Sequence, residues 1–135
     1  MKVSTKSRYG MRLLIDLANN ANESPVTVGE ISQRQNISVK YLEQLIHLLK
    51  KANLITSVRG AKGGHLLAKQ PDDIKFGQII RLMEDRADSD DCFCHKEKCT
   101  MVDCPLNLAW QKAVDAFFLE LDGVSIADLS KECCK

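Results

Sequence analysis

Cys92, Cys94, Cys99 and Cys104 fall within thirteen residues of one another. Thiolates are soft ligands, so such a group suits an iron–sulfur cluster of two or four irons, with zinc as the alternative. The stretch that carries them, Asp88 to Pro105, is polar and offers a core almost nothing to bury. A loop of about 18 residues without its own core needs another source of order, and metal binding couples to folding in such segments. Cys104 stands just before Pro105, at the expected start of a helix, where backbone N–H groups and the helix dipole favour a thiolate. It is the best pre-organised ligand, and Cys99, five residues earlier, can reach the same centre. Cys92 and Cys94 are separated by one residue; either supplies a third ligand, or both bind and complete an all-cysteine site. His95 is a reserve ligand or a solvated loop histidine. Common zinc sites use Cys-x-x-Cys pairs, which this spacing lacks, and a thiol redox switch is a third reading. Cys133 and Cys134 form a C-terminal pair to which no ligand role is given.

The rest of the chain must position that loop. Its 135 residues suffice for one compact domain with an extension. Only seven residues are aromatic, so the core must be mostly aliphatic. No apolar run approaches a membrane span, and the start lacks a signal-peptide segment, so a cytoplasmic protein without a membrane partner is expected. In that compartment clustered cysteines favour metal or redox chemistry over structural disulfides. The net charge of +1 hides an asymmetry: residues 1–86 carry a net of +6 and residues 87–135 a net of −5. Within 34–69, seven bases face one acid, Glu43. Such a segment suits a polyanion, although a solvated basic face has the same composition.

Leu13, Leu14, Leu17 and Ala18 recur at helical spacing and predict a helix over 5–20, capped by Thr5 or Ser7. Thr27-Val-Gly-Glu30 is a capping box for a short helix over 28–35. After a turn at Gln35-Asn36-Ile37, Ser38 caps a longer helix over 39 to about 52. Leu42, Leu45, Ile46 and Leu49 form its apolar stripe; Lys40, Glu43, Gln44, His47 and Lys51 lie opposite. Short helix, tight turn and longer basic helix make a helix-turn-helix pattern. Two strands, Ile55–Val58 and His65–Ala68, flank Arg59-Gly-Ala-Lys-Gly-Gly64, a cationic, glycine-rich tip suited to a DNA-binding wing. No Walker pattern or βαβ unit supports a nucleotide loop instead. A helix over about 76–85 follows, and after the cysteine loop a long helix starts at Pro105 and ends at Gly123. Its broad apolar face includes Trp110, Phe117, Phe118 and Leu121, and suits burial against a second subunit. Ser125 to Asp128 caps one more turn.

The chain therefore reads as mostly α with a small β-wing: a winged helix-turn-helix domain over 1–86, a cysteine-rich cluster-binding loop over 87–104, and a dimerisation helix with a C-terminal tail over 105–135. Glu43 and Gln44 can reach base edges, with glutamine suited to adenine and glutamate to cytosine. Arg59 and Lys62 suit phosphate or the minor groove, Gly63 lets the wing backbone approach, Lys40 adds charge, and Tyr41 either packs or bonds to phosphate.

These motifs resemble those of the Rrf-type winged helix-turn-helix regulators of bacteria. The likeness rests on Ser4-Thr-Lys-Ser-Arg-Tyr9, Ile37-Ser-Val-Lys-Tyr-Leu-Glu-Gln44, Val58-Arg-Gly-Ala-Lys-Gly-Gly-His-Leu-Leu-Ala68 and Cys104-Pro-Leu-Asn-Leu-Ala-Trp110, and spans essentially the whole chain. The resemblance implies a homodimer on pseudo-palindromic promoter DNA, acting as a repressor. It also implies that an IscR-like or NsrR-like member holds its iron–sulfur cluster on three cysteines between the last two helices. CymR-like members lack those cysteines and act through a partner enzyme, so the cysteines here point to the cluster-binding branch. The usual fourth ligands are replaced: Asn107 stands at the IscR-like histidine position and Arg8 at the NsrR-like aspartate position. Lys40 replaces a small polar residue and His65 a tyrosine. An enzyme is not expected, because no nucleotide site or catalytic base accompanies the thiols.

Overall fold

The computed structural model describes residues 2–20, 24–85 and 102–133. Helix α1 spans Thr5–Asn20, α2 Val28–Gln35 and α3 Val39–Lys51; strands β1 (Ile55–Val58) and β2 (Gly64–Leu67) follow. A 3-10 turn at Pro71–Asp73 leads into α4 (Phe76–Met83), and the chain ends with α5 (Pro105–Asp122) and α6 (Ile126–Cys133). This is the mostly helical winged architecture expected.

Local signals set most boundaries. Thr27 accepts from the Glu30 backbone N–H while the Glu30 carboxylate accepts from the Thr27 N–H at 2.7 Å, which closes the capping box of α2. Asn36 then turns the chain in the left-handed region, φ 53°, a conformation asparagine tolerates. Ser38 starts α3 by accepting from Tyr41 N–H at 3.3 Å. The expected cap of α1 is corrected: Ser4, not Thr5 or Ser7, accepts from the Ser7 N–H at 3.1 Å. Ser7 is fully buried and donates to the Glu84 carboxylate, which also accepts from Ser4 N–H at 3.0 Å. The end of α4 therefore clamps the first turn of α1.

The core is aliphatic, as the shortage of aromatics required. Leu13, Leu14 and Leu17 of α1 meet Ile31 of α2, Leu42, Leu45, Ile46 and Leu49 of α3, and Ile79 and Met83 of α4. Gly10 permits close contact between α1 and α4; a Cβ there would stand 2.6 Å from Met83 Cε. The C-terminal segment joins the same core. Phe76 N–H donates to Val124 O and Ile126 N–H to Ile74 O, both at 2.9 Å, and Ile126 is fully buried. Ser125 and Asp128 form a second capping box, starting an eight-residue α6 rather than the single turn expected. At the far end of α5, Arg81 of α4 grips Asp122 through two hydrogen bonds of 2.9 and 2.8 Å and stacks on Phe118, 4.1 Å from the ring centroid. That pairing holds the Asp122 carboxyl below the ordinary 3.8.

Candidate nucleic-acid interface

Helix α3 presents Lys40, Glu43, Gln44, His47 and Lys51 to solvent and buries the opposite stripe. Tyr41 is half-buried, its ring edge-on to Tyr9 at 5.8 Å, and Arg12 lies over the Tyr9 ring at 5.5 Å. The packing reading of Tyr41 thus has a concrete partner.

The angle between α1 and α2 is fixed by a network that the sequence pattern did not reveal. Asp16, 3% exposed, accepts from Arg34 Nε at 3.0 Å, Arg34 Nη2 at 2.6 Å and Gln35 Nε2 at 2.8 Å. Its carboxylate, hydrogen-bonded to the guanidinium, raises the Arg34 pKa above the usual arginine range. Arg12 Nε donates to Gln35 Oε1 at 3.0 Å, and its Nη2 donates to the Gln35 carbonyl. Four polar side chains thereby lock the last turn of α2 against α1, one short turn before the exposed helix begins.

The wing is a two-stranded antiparallel sheet in the register Ile55↔Leu67, Thr56↔Leu66, Ser57↔His65 and Val58↔Gly64. Strand β2 begins at Gly64, one residue before the expected position, because Gly64 pairs with Val58; Val26 adds a bridge to His65 on the outer side. Val26 N–H donates to His65 O at 3.0 Å, and His65 N–H to Val26 O at 2.8 Å. Gly64 must therefore lie flat against Val26, where a Cβ would stand 2.6 Å from its carbonyl. Arg59 and Lys62 are exposed at the tip, and Gly63 N–H donates to Gly60 O at 3.0 Å. A Cβ on Gly63 would stand 2.3 Å from Val58 O, so only glycine closes this tip. His65 Nδ1 pairs with Ser57 Oγ at 3.0 Å; burial, and then Lys50, push its pKa below 6.5.

Cys104 is the N-cap of α5, 8% exposed, with Pro105 at the first helical position. Asn107 is half-buried and engaged within the chain. Cys92, Cys94, Cys99, His95 and Cys134 lie outside the described residues. Among the described residues no three His, Cys, Asp or Glu are grouped to hold a metal. Nor is any described helix long and apolar enough to cross a membrane.

A basic second helix set by a tight turn beside a cationic wing defines a winged helix-turn-helix transcriptional regulator. The family pattern described as "Rrf2: Iron-dependent Transcriptional regulator" matches residues 3–132, and the chain belongs to the Rrf2 family. It is 41% identical over 133 residues to protein rrf2 of Nitratidesulfovibrio vulgaris, covering 98% of this chain and 89% of that one. The solved structure of T. potens IscR matches with a TM-score of 0.80 at 38% identity, covering 98% of this chain and 88% of that one. The structure of CymR, the global cysteine regulator of B. subtilis, matches with a TM-score of 0.81 at 36% identity, covering 98% of each chain. The relatives are regulators, in keeping with a non-enzymatic role.

Proposed function

We propose that the protein is a homodimeric repressor whose grip on pseudo-palindromic promoter DNA is set by an iron–sulfur cluster on Cys92, Cys94, Cys99 and Cys104. The observation that carries this reading is the position of Cys104. It is buried at the N-terminus of an 18-residue helix, where N–H groups and the dipole stabilise a thiolate. Such a donor suits a soft metal centre, and three further thiols precede it within twelve residues. Asn107 is a weak ligand, so the fourth thiol fills the place that a histidine holds in IscR-like members.

Helix α5 leaves Leu106, Leu108 and Leu119 more than half exposed, and Ala109, Ala113 and Ala116 are exposed as well. A second copy of α5 is the partner that such a face fits. When bound, a cluster supplies a redox-sensitive link among the four thiolates. Cys104 then ties the loop to the first turn of α5, and Asp122 passes the position of α5 to α4 through Arg81. Glu84 connects α4 to α1, and the Asp16 network connects α1 to α2 and the exposed helix. A dimer reads half-sites about 34 Å apart, so a small shift of α5 changes which promoters both copies can grip. Lys40, Tyr41, Glu43 and Gln44 are placed for the major groove, and Arg59, Lys62 and Gly63 for the backbone or minor groove.

Anaerobic purification tests the reading: visible absorbance with iron and sulfide, and promoter binding that differs between holo and apo protein at matched salt. Equal binding of the two forms overturns it. A second reading has support in the close match to CymR: a zinc- or thiol-based regulator that works through a partner enzyme. A colourless, zinc-loaded protein that retains an enzyme from the lysate on α5 would establish that alternative.

A further inference from the structure

Val39 is the first residue of α3 and is 40% exposed, whereas Leu42, Leu45, Ile46 and Leu49 of the same helix are buried. A β-branched residue on the surface of a helix gives up helix propensity, and here only part of its side chain is covered in exchange. Its place is fixed by Ser38, whose Oγ caps the helix at Tyr41 N–H. Val39 stands one turn before Glu43, so the two side chains are neighbours on the helix surface. Lys40 follows immediately and is exposed.

In a helix-turn-helix the N-terminal residues of the second helix meet base edges in the major groove. The apolar group on those edges is the thymine C5-methyl. We infer that Val39 is a specificity-determining residue that packs on a thymine methyl beside the base read by Glu43. This inference rests on the promoter-binding reading above. Val58, 43% exposed beside Arg59, does not share the argument, because the minor groove that a wing enters carries no methyl group. Val39 thus adds an apolar contact to an otherwise polar and charged reading face, and the methyl tells thymine from cytosine where hydrogen bonds to a neighbour cannot.

The test uses duplexes enriched from a randomised library by the wild-type protein. Each thymine in the enriched site is replaced singly by deoxyuridine, which removes only the methyl. A single such replacement should weaken wild-type binding about fourfold, the value of one buried methyl, and one in each half-site about fifteenfold. Val39→Ala should bind the unmodified duplex about as weakly and ignore that replacement, while keeping the wild-type response to Lys62→Ala in a double variant. The inference is overturned if Val39→Ala keeps the wild-type sensitivity profile, or if no thymine near the Glu43-dependent base is sensitive. If the wild type enriches no sequence, promoter reading itself fails and the Val39 contact fails with it.

Discussion

Arg34 has a third of its side chain in water, and truncating such a residue normally changes stability by less than about 0.5 kcal/mol. Here Arg34→Ala should be far worse. It strips Asp16 of two charge-assisted donors and leaves a carboxylate with 2% of its side chain accessible facing, among the described residues, the Gln35 amide alone. Two such bonds are worth roughly 3–6 kcal/mol gross. The guanidinium is well hydrated in the unfolded chain and partly screened in the folded one, so about half survives as a net loss, ~2–3 kcal/mol. Urea unfolding should show a lower midpoint at constant slope, reporting stability rather than a changed unfolded state. Asp16→Ala/Arg34→Ala should lose less than the two single changes added together, since the stranded charge is gone. A midpoint for Arg34→Ala within error of wild type would show that the carboxylate does not depend on this partner, and would refute the argument.

Gly63→Ala, with its Cβ 2.3 Å from Val58 O, should distort the wing tip and lower DNA affinity; unchanged affinity would mean that the tip does not touch DNA. Lys62→Ala should weaken binding to all duplexes alike and flatten the salt dependence by about one unit of slope per protomer, whereas Glu43→Ala should change base preference; both are read by titration at several salt concentrations. His65 has its folded pKa below 6.5, so the folded chain binds fewer protons than the unfolded one just beneath that value. Its contribution is fully present above pH 6.5 and fades as pH falls toward the folded value. Thermal midpoints between about pH 7.5 and 5.5 should therefore slope less in His65→Gln than in wild type, and parallel slopes would exclude the effect.

The parts of this fold that can be read in advance are those whose partners lie within a turn or two in sequence. Thr27 with Glu30 and Ser38 with Tyr41 satisfy their neighbours, and the stripe from Leu42 to Leu49 declares its own buried side. The cap of α1 was ambiguous because three hydroxyls stand close together, and the choice of Ser4 is made by Glu84, eighty residues away. Asp16 has the sequence pattern of an ordinary helical acid, since Arg34 and Gln35 reach it only once α2 has folded back. The one-residue displacement of β2 follows from the pairing of Val58 with Gly64, a register that alternation alone does not fix. For the candidate interface, exposure of Lys40, Glu43, Gln44, Arg59 and Lys62 followed from periodicity and turn chemistry. Val39 is not legible in advance, because a valine at helical spacing from Leu42 and Ile46 has the pattern of a core residue.

The clamp of Glu84 on Ser4 and Ser7 has a wider consequence. Ser4, Ser7 and Glu84 all lie outside the stretch from 86 to 101. The sequence of that stretch can therefore change without removing any partner of the clamp, and the packing of α1 on α4 tolerates substitutions there.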